Sequence, residues 1–182
     1  MTRRVRTLEE ISKAYQMILV DTSALISPIG YDGFEIKKKS ADFFARKFQE
    51  ICRIGVTESV KNEYANVGSS SERKLMDELE NRTLQLNGGE RLWYEELSKL
   101  YSRVRSKFDI GDVDFDFLLS GIVVSEARKK SVALISNDTK MVRPWKFLLF
   151  RACLTPEELG FFIRKGEDAF KGTKFPKEIK SS

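Results

Sequence analysis

The chain has 182 residues, enough to bury one core without disulfides or a structural metal. Histidine is absent, which excludes imidazole acid–base catalysis, serine-type triads and imidazole-ligated zinc. A net charge of +5 has the sign expected of a protein that faces phosphates.

Thr7-Leu-Glu-Glu10 fits a capping box and predicts a helix in the leading segment 1–16. Its basic start runs into polar residues rather than a signal-peptide core, and no apolar run approaches the ~20 residues of a membrane span. A cytoplasmic protein without membrane contact is therefore expected. Met17–Val20 is a short apolar run, read as a buried strand that ends at Asp21. Pro28, Gly30 and Gly33 predict a loop over 27–36, and Ser40 a cap for a helix in which Phe44, Phe48 and Ile51 share a face. Ile54–Thr57 reads as a strand followed by a helix carrying Glu63.

Asn66–Ser71 reads as a linker opening a helical insertion over 66–111, with helices at 72–81 and 90–108. In the second, Trp93, Leu97, Leu100, Tyr101, Val104 and Phe108 form a stripe, read as core packing rather than a base-stacking platform. Residues 113–128 are apolar nearly all round, which predicts a buried helix. A strand follows at 132–136, then a short helical segment broken at Pro144, a strand at 148–154 and a helix begun by Thr155-Pro-Glu-Glu158. Cys52 and Cys153 are expected as buried, unpaired thiols. The basic tail, 164–182, is expected to fray past Gly172.

Strands alternating with helices predict an α/β fold: a parallel sheet covered on both faces. Asp21 and Asp138 each close a strand, where parallel sheets place their ligand crevice. Asp114 begins the buried helix, and Glu63 sits on the helix after the second strand. Gathered carboxylates repel one another unless a divalent cation sits between them. Asp112, Asp114 and Asp116 alternate, so 114 points about 200° away from its two neighbours on a helix. Asp112 reads as a plain N-cap after Gly111; Asp116 remains the competing register for the third acid.

Four separated pieces in order resemble a PIN domain, the metal-dependent nuclease fold related to flap endonucleases. They are Asp21-Thr-Ser-Ala-Leu-Ile26, Val56-Thr-Glu-Ser-Val-Lys-Asn-Glu63, Asp114 with a small residue (Gly121) seven positions on, and Leu134-Ile-Ser-Asn-Asp138. The similarity covers roughly residues 17–163. It implies an α/β/α three-layer sandwich with a mainly parallel sheet. It implies that Asp21, Glu63, Asp114 and Asp138 hold Mg²⁺ or Mn²⁺ and that RNA is hydrolysed. Ser23 and Ser136 then orient carboxylates or cap helices, and Lys140 and Arg143 hold a neighbouring phosphate or are plain surface charges. RNA processing fits the long insertion better than a minimal toxin with an antitoxin partner; a non-catalytic RNA scaffold is the other reading. The insertion also offers a surface for a homo-oligomer.

Overall fold

The computed structural model describes residues 4–26, 34–67 and 73–174. Thr7 caps α1 (Leu8–Ala14) through the capping box with Glu10. The chain then alternates through β1 (Met17–Val20), α2 (Thr22–Ile26), α3 (Phe34–Glu50), β2 (Ile54–Gly55) and α4 (Glu58–Val67). Three helices, α5 (Arg73–Asn81), α6 (Gly88–Leu100) and α7 (Arg103–Phe108), lead to α8 (Asp112–Arg128). The chain closes with β3 (Val132–Ser136), α9 (Val142–Arg151), β4 (Leu159–Gly166) and β5 (Ala169–Gly172).

These strands form one sheet in the order β2-β1-β3-β4-β5, parallel except for the β4–β5 hairpin. All five residues of β3 are buried. Because successive side chains of a strand point to opposite faces, both faces of the sheet are covered. The architecture is α/β with a mostly parallel central sheet. β1 lies between β2 and β3, so the chain leaves β1 toward one edge and β3 toward the other. That reversal opens a crevice at the carboxyl ends of β1 and β3.

α8 packs directly on β3 and β4 at Gly121, where an added Cβ would lie 2.9 Å from Leu134 Cδ2 and 3.1 Å from Leu159 Cδ1. A small residue is required there because the sheet lies against the helix backbone. Gly121→Ala should lose roughly 1–3 kcal/mol through overpacking, read as a lower urea midpoint at unchanged slope. An unchanged midpoint would mean that the two leucines move aside freely.

Several elements differ from the sequence reading. Phe34–Ile36 belong to α3 rather than to a loop, and Asn66 and Val67 of the expected linker end α4; Ser27–Gly33 lie outside the described residues, as do 68–71 of that linker. Ser40 is no cap: it sits within α3 and donates to Leu25 O at 2.7 Å. The expected strand 148–154 is helix through Arg151. Pro144 does not break α9, because it occupies the first turn, where its missing N–H has no intrahelical partner to lose. The start signal at Thr155 produces only a turn, with Thr155 N donating to the Glu158 carboxylate at 2.7 Å. The aromatic and β-branched run after it joins the sheet instead. Cys52 and Cys153 are exposed, not buried.

The tail boundary also moves. Residues 164–172 complete β4 and form β5, and Arg164 is 1% exposed. Its guanidinium donates to Ala24 O at 2.6 Å, Ser40 Oγ at 2.7 Å, Glu167 O at 3.0 Å and Gly166 O at 3.1 Å. It also lies over the rings of Phe43 and Phe44. Burial pushes its pKa down to about 10. Every acceptor it uses is a carbonyl or a hydroxyl, so the charge is solvated by protein dipoles instead of water.

Candidate active site

Asp21 is the first residue past β1. Its backbone N–H donates to Ile135 O at 2.9 Å, fixing the side chain beside β3. The carboxylate is 2% exposed. Two hydroxyls donate to the same oxygen, Oδ2: Ser23 at 2.6 Å and Ser136 at 2.8 Å. They lie 3.0 Å apart and are themselves oriented, Ser23 Oγ by Asn137 N at 2.9 Å and Ser136 Oγ by Asp138 N at 3.0 Å. Oδ1 accepts from no donor among the described residues. The next residue, Thr22, buries a hydroxyl with no protein partner among them either. Ser23 and Ser136 thus bind the carboxylate itself, joining the ends of β1 and β3.

Burial pushes Asp21 up to about 6; the two serine hydroxyls oppose this, while the charges of Asp114 and Glu63 add to it. Asp114, in the first turn of α8, is likewise raised. Burial is the main cause, with smaller contributions from the charges of Asp138 and Glu63; Gly111 N–H, donating to Oδ2 at 3.3 Å, works against it. α4 packs on both α2 and α8, which carries Glu63 into the same field. Asp138, two residues past β3, accepts from Lys140 N at 2.8 Å and caps the 3-10 turn Thr139–Met141. Asp21, Glu63, Asp114 and Asp138 therefore form one electrostatic neighbourhood at the crevice.

The two other aspartates of α8 are engaged elsewhere. Asp112 is not the cap, which is Gly111; it is exposed and ion-paired with Arg105. Asp116 accepts from Tyr94 Oη at 2.6 Å and from Ser59 Oγ. These contacts tie α8 to α4 and α6. Asp116→Ala should lose about 1–3 kcal/mol by stranding both donors, measured by denaturant unfolding. Equal loss in a Tyr94→Phe background would show that the pair is not coupled.

None of the four clustered acids is in an ion pair among the described residues. Nor does any group of three or more acidic or thiol side chains there stand arranged to hold a metal ion. The donor chemistry still fits a hard divalent cation: oxygen ligands only, uncompensated charge, and an unbonded Asp21 oxygen. Converging on one ion would take side-chain rotation at Glu63, Asp114 or Asp138. Asp21 is pinned by its serines and would be the fixed ligand.

No family model matches this chain, and no curated protein or solved structure matches it either.

Lys140 and Arg143 are both exposed, on the 3-10 turn after Asp138 and the first turn of α9. Three features were missed in the sequence: the orphan Thr22 hydroxyl, the buried Arg164 and the exposed face of α9. The first two carry no local pattern that separates them from surface residues. The third was hidden by reading Leu148–Leu154 as a strand.

Proposed function

We propose that this protein is a Mg²⁺- or Mn²⁺-dependent endoribonuclease of the PIN-like kind, working at Asp21, Glu63, Asp114 and Asp138. The observation that carries the reading is the buried Asp21 carboxylate at the point where the strand order reverses, its proton held chiefly by burial, with the charges of Asp114 and Glu63 adding to the effect. Of the four, Asp21 is buried and the others are half-buried, and no cation pairs with any of them among the described residues. A buried acid facing like charges in a crevice, with no cation beside it, is the kind of group found at functional sites.

Asp21 would hold the ion most rigidly, with Ser23 and Ser136 setting the carboxylate's direction. Asp114 would close the ligand set from α8, Asp138 from the turn after β3, and Glu63 from α4. The chemistry such an ion supplies when bound is polarisation of a phosphate oxygen and acidification of water. Lys140 and Arg143 would steady the phosphate next to the scissile one. RNA is the expected partner, in a processing role; a toxin would add an antitoxin partner.

The test is cleavage of end-labelled RNA, single-stranded DNA and a generic phosphomonoester, with Mn²⁺ or Mg²⁺ and with chelator. Metal-dependent internal cuts in RNA support the reading. Turnover of the phosphomonoester alone would replace it with a phosphatase. A second reading, a non-catalytic RNA-binding scaffold, draws on the lack of a pre-assembled ligand group among the described residues. RNA that binds but stays intact with every metal would select it.

A further inference from the structure

The outer face of α9 is basic and aromatic. Arg143, Phe147 and Arg151 recur every four residues, so they share one side of the helix, with Lys146 and the exposed Phe150 beside them. The buried face holds Pro144, Trp145, Leu148 and Leu149 instead. α7 packs alongside and presents Lys107 Nζ 4.4 Å from the Phe147 ring centroid, while Arg151 approaches the same ring at 5.4 Å. Phe108 stands against Phe147 at 5.6 Å.

Between α7 and α9 lies an open cavity of about 440 Å³, lined among others by Tyr101, Arg103, Lys107, Phe147 and Arg151. No acidic side chain lines it. Glu126, whose charge reaches Tyr101, accepts from Trp93 Nε1 at 2.9 Å. Arg103, Lys107, Arg143, Lys146 and Arg151 are in no ion pair among the described residues. The stripe expected to be core is thus divided: Leu97 and Val104 are buried, Leu100 is 70% exposed, Tyr101 sits half-buried at the cavity and Phe108 half-buried against Phe147.

We infer that the α7–α9 groove binds the flank of a single-stranded RNA, a base stacking at Phe147 and phosphates meeting Lys107, Arg103 and Arg151. Position argues for it. α9 begins just after Asp138, and its Arg143–Arg151 face runs about 12 Å away from the crevice. A strand with one phosphate at the carboxylates would pass Arg143 and then reach Phe147. Composition argues for it as well. Uncompensated cations suit a phosphate backbone, and a cation-ringed aromatic suits any base, so the groove would be tolerant of sequence. The direction of the strand away from the crevice rests on the nuclease reading; the binding itself does not.

The experiment measures fluorescence anisotropy of a labelled oligouridylate with the full chain in chelator, so that nothing is cut. Phe147→Leu keeps the packing against Phe108 but removes the ring, and should weaken binding roughly 5- to 150-fold. Phe147→Tyr should restore it. Lys107→Gln with Arg151→Gln should lower the salt slope by about 0.7 for each phosphate no longer neutralised. Arg53→Gln and Lys130→Gln, at the amino ends of the strands, should leave affinity unchanged. Unchanged melting temperatures would establish that the variants are folded.

Wild-type affinity in Phe147→Leu and in the double glutamine variant would overturn the inference. So would polyglutamate competing as well as RNA, which would make the groove a site for acidic protein. Asp21-dependent cleavage with groove-independent binding would sink this inference alone. RNA left intact with every metal, but released by Phe147→Leu, would sink the nuclease reading alone.

Discussion

Asp21→Asn and Asp114→Asn should each abolish metal-dependent RNA cleavage, lowering turnover by at least ~100-fold. The magnitude follows from a comparison: removing an outer partner of a metal ligand costs about 10–100-fold, and these substitutions remove the ligand itself. Ser136→Ala, which takes one of the two hydroxyls off Asp21 Oδ2, belongs in that 10–100-fold range. Asp112→Asn should leave turnover near the wild-type rate, since Asp112 faces Arg105. Asp116→Asn should do the same, because the amide oxygen still accepts from Tyr94. Single-turnover cleavage at saturating Mn²⁺ measures all five. Activity that survives Asp114→Asn and dies with Asp116→Asn would move the third ligand to Asp116.

The second large effect is on stability, and it depends on pH. Asp21 holds its proton more tightly in the folded chain, at about 6, than the ordinary 3.8. Its contribution to stability is therefore complete below pH about 4 and is lost as pH rises through 6. The loss amounts to about 3 kcal/mol by pH 7.5. Asp114 is shifted in the same direction and adds to it. Asp21→Asn keeps an oxygen for the two serines but carries no charge. Without metal it should melt roughly 5–10 °C above wild type at pH 7.5 and level with it near pH 4. Mn²⁺ at about 100 times its Kd should stabilise wild type by about 2.7 kcal/mol and the variant far less. A variant that melts lower at pH 7.5 would make Asp21 a structural cap.

The strands with a clear boundary residue were legible in the sequence. Met17–Val20 and Val132–Ser136 coincide with β1 and β3, because runs of four and five residues are too short for an ordinary helix and polar residues bound them on both sides. The long buried helix was legible too, and Gly121 explains itself once the sheet lies against it. Leu148–Leu154 failed because a short apolar run does not reveal its own period; the charges Arg143 and Arg151, two helical turns apart, were the better guide to a helix. In the candidate site, the separate positions of Asp21 and Asp138 were readable, but their linkage through Ser23 and Ser136 was not. Hydroxyls that bridge two strands 113 residues apart leave no mark in local spacing. The choice among Asp112, Asp114 and Asp116 needed the partners Arg105, Tyr94 and Ser59, which come from three other helices.

Arg164 bears on how this chain is made. The guanidinium of a residue near the end holds Ala24 O, at the close of the helix that follows Asp21. Arg6 and Phe170 pair across both backbones at 2.9 Å, and Asp168 accepts from Leu8 N at 2.7 Å. A ribosome therefore releases the first helix and the first carboxylate long before their last partners exist. Until residue 170 has emerged, α1 and α2 wait without these partners, because the contacts span more than a hundred residues. A chain cut at Ile163 would keep all four acids and lose the side chain that ties the helix after the first of them to α3 and β4.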